Sequence, residues 1–390
     1  MPVVQDLLTP SVVRGIISRI RTPGGQLSRL LGTHLNGPAT DTVTGRTYTY
    51  DIYDNVRRVS RARFPGVPNG TVAANPVGNV TVTLARFGEK LILNYDKLIQ
   101  IRTLGQNAGM QDKKGVKYVE EQAKTLRQSA DNVREFVTAG ALLRGGVYSF
   151  YQSGDDLLPS FDASGGYITV DHQIPSSNKL TGSGAFAAGL QMGTGSNIIT
   201  ADWATAATDI PLAIQKVSAA FQAQVGQPLK YIFVDSTMML NILQNDKVRQ
   251  LAGTSHQPFA ALENTGNKNP DGTDGGLYWF ELRGLPYFRF YVYDGGLDVS
   301  TSGAAPAFTK LLPTGYVTFM IEPDSQWFKC IEGSEFVKDN DIAPAVERTG
   351  FYSHILEKAD PARFELHTIQ NVGMEVNIPK GIAYARVTAT

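Results

Sequence analysis

Across residues 112–144 the apolar side chains Val116, Val119, Ala123, Leu126, Ala130, Val133 and Val137 recur at alternating spacings of three and four. That is the period of one continuous helical stripe. Glu120 and Lys124 stand four apart in the favourable order, and Gly145-Gly146 supplies a stop. At a rise of about 1.5 Å per residue such a helix is roughly 50 Å long. An element of that length acts as a strut rather than as one packing unit of a small globule. A coiled coil is the competing reading, weakened by the short run and by the Ala and Val at its apolar positions.

The segment before the strut reads as extended chain. Tyr48, Tyr50, Ile52 and Tyr53 open it, and Arg57, Arg58, Arg61 and Arg63 follow at alternating or adjacent positions. Residues 64–70, a Phe-Pro-Gly-Val-Pro-Asn-Gly run, form a turn-rich tip. On the return limb Val80, Val82 and Leu84 alternate with Thr81 and Thr83, the period of a half-buried strand. A lone two-stranded ribbon is marginal in water, so this one needs a surface to lie on. That surface is either its own domain or a neighbouring subunit. Before the ribbon, Thr9-Pro10 starts a short helix carrying Val12, Val13, Ile16, Ile17 and Ile20, which Thr22-Pro23-Gly24-Gly25 ends. Its basic amphipathic character suits docking on protein, its own or another chain's, better than lying on a membrane.

Beyond the strut, residues 167–171 read as a strand and the Gly-, Ala- and Ser-rich residues 181–196 as a loop. Asp209 caps a helix with Pro211 near its start, apolar Ile214, Val217, Phe221 and Val225 on one face, and Gly226 at its end. A buried strand over residues 230–235 leads to a helix from Ser236 that carries Met239, Leu240, Leu243 and Val248. Aromatic strands follow at 278–282 and 287–293, and a Gly/Ser/Ala loop separates them from a strand at 316–321. Two closing strands lie around 366–372 and 382–387. The chain is therefore α+β.

Charge bounds the function. The 390 residues carry 36 basic and 36 acidic side chains, so no global basic field argues for tight nucleic-acid binding. Residues 1–64 nevertheless hold nine Arg, no Lys and four acids, leaving that segment +5 and the remainder −5. Such a front end meets polyanions or acidic protein surface, or is simply a solvated face. Cys330 is the only cysteine, so no intrachain disulfide forms. No apolar run of about 18 residues predicts a membrane span, and the start MPVVQDLL lacks the basic region of a secretory signal.

No motif predicts chemistry. The five histidines (His34, His172, His256, His354, His367) show neither HExxH nor a helical pair, and one Cys makes a structural zinc site untenable. Residues 182–189 lack the Lys-Ser/Thr of a phosphate loop. Residues 267–272 resemble the start of a calcium loop, but Tyr278 falls where the bidentate acid is needed, so a plain turn is expected. There is no GxSxG elbow, and Cys330 has no His nearby in sequence. The expectation is no catalytic residue, no cofactor and no metal.

Read in order, these elements resemble the lambda-type tailed-bacteriophage major capsid proteins. The strut running into Gly146-Val147-Tyr148-Ser149-Phe150 is similar to that family's spine helix and its exit, and Ile168-Thr169-Val170-Asp171 to the strand after it. Residues 228–243, centred on Tyr231-Ile232-Phe233-Val234-Asp235, resemble its buried strand and following helix. Residues 284–295, 310–315 and 317–321 carry the nearest local likeness. Arg348-Thr349-Gly350-Phe351-Tyr352 and residues 360–366 resemble the approach to the final strands. The resemblance covers about residues 48–390.

The resemblance implies a tailed-phage major capsid fold. Residues 1–47 would be an N-terminal arm and 48–95 an extended β loop. Residues 96–200 and 341–390 would form a peripheral domain with the spine helix, and 201–340 an axial domain of mixed sheet and helices. It implies hexamers and pentamers tiling an icosahedral shell around double-stranded DNA, assembled in the host cytoplasm and ending in the virion. Scaffold, portal and decoration proteins would be partners, and packaged DNA would be touched non-specifically. Arg57, Arg58, Arg61, Arg63 and Arg86 would contact the neighbouring subunit. No lysine precedes Lys90, which speaks against cross-linking through the ribbon tip. The alternatives are an encapsulin-type nanocompartment of the same fold, and a β-rich enzyme or ligand-binding protein.

Overall fold

The computed structural model of the chain describes residues 25–53, 77–94, 113–162, 164–181, 190–192, 198–251, 253, 262–268, 274–301, 303–337, 345–359 and 362–389. The predicted helix after Thr9, the ribbon tip at 64–70 and most of the loop at 181–196 lie outside these residues, as does His256.

In chain order, a short helix α1 (Gln26–Leu30) precedes strands β1 (Thr40–Thr42), β2 (Thr47–Tyr53), β3 (Val77–Thr83) and β4 (Ala85–Asn94), then the long helix α2 (Lys113–Leu143). Strands β5 (Val147–Ser153), β6 (Asp156–Ser160), β7 (Ile168–Asp171) and β8 (Lys179–Leu180) follow. Helix α3 (Ile210–Gln224), strand β9 (Leu229–Val234) and helices α4 (Ser236–Gln244) and α5 (Asp246–Leu251) come next. The remaining strands are β10 (Leu262–Lys268), β11 (Asp274–Leu282), β12 (Leu285–Val292), β13 (Gly296–Val299), β14 (Ala307–Lys310), β15 (Tyr316–Ile321), β16 (Phe328–Glu332), β17 (Ser334–Val337), β18 (Val346–Thr349), β19 (Tyr352–Ala359), β20 (Ala362–Val376) and β21 (Ile382–Arg386).

These elements form two compact units. The first comprises Met1–Tyr48, Val82–Thr138 and Lys329–Met374; the second comprises Thr49–Thr81, Ala139–Phe328 and Glu375–Thr390.

In the first unit β20 is the organising strand. It pairs antiparallel with β19 from Tyr352↔Ile369 to Ala359↔Ala362, and with β4 from Arg363↔Asn94 to Val372↔Ala85. β16 also pairs with β20, and β1 lies parallel to β16. The predicted stripe of α2 is buried at Ala123, Leu126, Ala130 and Val137. From Arg134 to Thr138 the helix is buried on every side, polar positions included, which no single-stripe coiled coil requires. Those polar positions have partners. Arg134 pairs with Glu332, and Glu135 accepts from the backbone N–H groups of Leu27 and Ser28, both at 2.8 Å. Thr138 meets Thr33 at 3.0 Å. Glu135 thus satisfies two of the open amides at the start of α1.

The second unit is built on a mixed sheet of order β10-β11-β12-β9-β15-β21-β8. Ile232, Phe233 and Val234 of the central strand β9 are fully buried, as expected of an apolar run that pairs on both edges. β9 runs parallel to β12 and antiparallel to β15. Phe280 and Phe290 stack across β11 and β12 with ring centres 4.8 Å apart. The Asp209 carboxylate accepts from Leu212 N–H at 3.0 Å and starts α3, and Gly226 adopts φ 93° just past its end. At the exit of α2, Gly145 and Gly146 take φ 70° and 81°.

Three local expectations need correction. The helix expected to run from Ser236 through Val248 breaks at Asn245. The Asn245 side-chain oxygen accepts from Lys247 and Val248 N–H at 3.0 and 3.1 Å, starting α5 as a separate helix. The expected loop before residue 316 contains a hairpin, β13 with β14, in register from Gly296↔Lys310 to Val299↔Ala307. Asn267 and Lys268, read as part of a turn, close strand β10; residues 269–273 lie outside the described residues. The return limb of the ribbon is two strands: β3 pairs with β2 and β4 with β20. Val80, Val82 and Leu84 are buried while Thr81 and Thr83 face solvent.

Candidate functional site

Four of the five arginines expected at an intersubunit contact, Arg57, Arg58, Arg61 and Arg63, lie outside the described residues. Arg86 is described. It stands on β4 with its side chain 47% exposed, and its Nε lies 3.6 Å from Glu335 Oε2. Glu335, on β17, also holds Arg46: Nε donates to Oε2 at 3.1 Å and Nη2 to Oε1 at 2.6 Å. Asn371 Nδ2 donates to the same carboxylate at 3.3 Å. One acid therefore gathers two arginines and an amide from four stretches of the first unit. The fork-shaped Arg46–Glu335 pair fixes geometry as well as charge.

This cluster borders a cavity of about 550 Å³ lined by Thr44, Gly45, Arg46, Ser334, Glu335, Phe336 and Glu347. Ser334 Oγ donates to Glu347, and Gly45 N–H donates to Ser334 Oγ at 2.7 Å. Phe336 is 69% exposed and Val346, on the paired strand, 41%. An open aromatic beside a pre-formed ion cluster suits a protein-facing surface, where Phe and Arg are enriched. In the second unit the large apolar side chains exposed by more than 60% are, among the described residues, Tyr167, Tyr287 and Phe308. Sequence reasoning missed the Arg46–Glu335 pairing, because its partners are 289 residues apart and neither sits in a local motif.

The groups with chemical potential are quenched. Cys330 is buried beside Arg134, and burial pushes its thiol up to about 11 even though the guanidinium opposes that shift. A thiol of that kind is inert near neutral pH. His172 is buried and held down to about 3, by burial first and by Lys179 second. His354 and His367 stack across β19 and β20 with ring centres 5.0 Å apart. Among the described residues no group of three His, Cys, Asp or Glu side chains could hold a metal, and no helix is long and apolar enough to cross a membrane.

The sequence profile of a family described as phage major capsid protein E matches residues 19–182, from ahead of α1 to the end of β8. That family is a structural, capsid-type one, in keeping with a non-catalytic role. No curated protein matches the chain. Among solved structures, a prophage protein of Escherichia coli CFT073 assigned as its capsid protein aligns over 97% of this chain and 99% of its own. The identity is 13% and the TM-score 0.54. A phage-related protein from Bordetella bronchiseptica RB50 aligns over 98% of both chains at 10% identity, with a TM-score of 0.47. The likeness to the Escherichia coli protein shows a shared fold over the whole chain.

Proposed function

We propose that the chain is a shell-building protein, the major capsid protein of a lambda-type tailed bacteriophage. Copies form hexamers and pentamers that close an icosahedral shell around double-stranded DNA in the host cytoplasm. Residues 1–47 serve as the arm and 48–95 as the extended loop. Residues 96–200 and 341–390 are the peripheral domain, and 201–340 the axial domain. Arg57, Arg58, Arg61, Arg63 and Arg86 hold the loop on a neighbouring subunit, and scaffold, portal and decoration proteins are the further partners. The observation that carries this reading is the match of a capsid-protein family to residues 19–182, the stretch containing arm, ribbon and long helix. The full-length correspondence in fold to a prophage protein supports it.

Electron microscopy and light scattering of the purified protein test it. Closed shells that package or co-purify with DNA are expected. Closed shells holding protein cargo and no DNA point instead to an encapsulin-type compartment. A folded protein that remains monomeric at high concentration and with scaffold overturns the shell reading altogether.

A further inference from the structure

Tyr50, on β2 at the root of the ribbon, is 3% exposed, and its hydroxyl lies 2.9 Å from Nδ1 of fully buried His172. Both belong to the second unit. His172 joins two other elements as well. Its backbone N–H donates to the Gly146 carbonyl at 2.9 Å, at the exit of α2, and its ring lies against Tyr148 of β5 with centres 5.7 Å apart. The next residue, Gln173, takes φ 55°, a left-handed conformation held by Asp171 Oδ1 accepting its N–H at 2.8 Å. Strain of that kind persists only where surroundings over-determine it. The far ring nitrogen, Nε2, is buried with no partner among the described residues.

We infer that Tyr50 and His172 form an acid-released latch: uptake of a proton by His172 frees the Tyr50 stretch of β2 while the seven-stranded sheet stays folded. A neutral imidazole has one donor and one acceptor; here Nδ1 meets the Tyr50 hydroxyl and Nε2 has no partner among the described residues. A cationic imidazole presents two N–H donors, and the second would be buried without an acceptor. Among the described residues no acid answers that charge. From β2 the ring meets the Tyr50 phenol, from β5 the Tyr148 ring, and from β8 the cation of Lys179. The α2 exit offers Gly145 and Gly146, and Arg144 beside them donates to the Leu311 and Lys310 carbonyls. Asp171 is exposed and turned to the Gln173 amide. Among the described residues the further ties of this stretch, its pairing with β3, the Thr49–Thr81 hydroxyl contact at 2.9 Å and Tyr53 N–H to the Asn377 carbonyl at 2.9 Å, contain nothing that titrates near neutral pH. Acid therefore acts at Tyr50.

Hydrogen exchange of the full-length protein, corrected for the intrinsic pH dependence of the rate, tests the latch. Once opened, His172 protonates as an ordinary imidazole, near pH 6.5. Opening at residues 49–53 should then rise roughly 100-fold between pH 7.5 and 4.5. Amides of β9 and β15, which open only with the unit as a whole, should stay more strongly protected than residues 49–53 at every pH in that range. His172→Gln, which cannot titrate, should remove the rise. Tyr50→Phe deletes only the hydroxyl and should raise opening of the same stretch about fivefold to tenfold at pH 7.5. A response that is flat with pH, protection at residues 49–53 no weaker than that of β9 and β15, or a rise retained in His172→Gln would overturn the latch. So would an unchanged Tyr50→Phe, which keeps the test decisive if His172→Gln does not fold.

Discussion

Each unit buries a polar centre, and the two solve the same problem in opposite ways. In the first, α2 carries Arg134 and Glu135 side by side into the interior, where they meet Glu332 and the open amides of α1. In the second, Tyr50 and His172 meet as uncharged groups through a single hydrogen bond. Charges taken out of water require full pairing, and removing one partner exposes the whole desolvation cost of the other. A neutral pair costs little to bury but becomes untenable once it gains a proton. The first centre should therefore respond steeply to substitution and the second steeply to pH.

The sharpest break of that contrast is Arg134→Met. It leaves the Glu332 carboxylate, 8% exposed, without its ion-pair partner. Loss of an ion-pair partner at such a site costs about 3–5 kcal/mol, which urea unfolding would register as a large fall in midpoint. The paired substitution Arg134→Met with Glu332→Leu should recover most of that loss, because no lone charge remains. Equal damage from the single and double variants would show that Arg134 acts through packing alone.

The pH response of the second centre comes next in size. His172 sits at about 3 in the fold against 6.5 when exposed. Its contribution is whole above pH 6.5 and declines as pH falls toward 3, because only the unfolded chain binds the proton in that window. Stability of the second unit should fall by about 1.4 kcal/mol for each pH unit there. His172→Gln should lower that slope by one proton, read from urea midpoints collected at pH 6, 5 and 4. A slope unchanged in the variant would move the acid response to other groups.

How far the sequence foretold these two centres depends on the reach of each signal. Helix α2, the Asp209 cap of α3 and the buried run of β9 are written within a dozen residues, by period, cap and composition, and each was readable. The break at Asn245 was also written locally, since Asn followed by a helical run is a start signal; the continuing Met and Leu pattern masked it. Strands β1, β16, β17 and β18 are three to five residues long and partly polar, too short for a period to emerge. Their place comes from partners far away in the chain, as Thr40 finds Cys330. The polar centres follow the same rule. Tyr50 and His172 are 122 residues apart, Arg46 and Glu335 are 289, and no spacing announces either pair. Glu135 lies off the apolar stripe of α2, and only the fold turns it toward α1.

The cluster at Glu335 is the third term of the comparison, charged like the first centre but open to water. The Arg46 side chain is 50% exposed and that of Arg86 47%. Solvent screens such pairs to about 0–1 kcal/mol, so Arg86→Gln should leave urea and thermal unfolding of the subunit almost unchanged. Arg46→Gln should cost slightly more, because it removes a forked pair rather than a single long contact. If the cavity beside Phe336 faces a neighbouring subunit, the small cost within one subunit is repeated at every copy of the contact. Arg46→Gln combined with Arg86→Gln should then depress the yield of closed shells while the subunit's unfolding midpoint stays within error. A normal yield from the double variant would confine the cluster to a role inside the subunit. A midpoint that drops as far as that of Arg134→Met would place it with the buried centre instead, and the distinction between open and enclosed charge drawn for the two would fail.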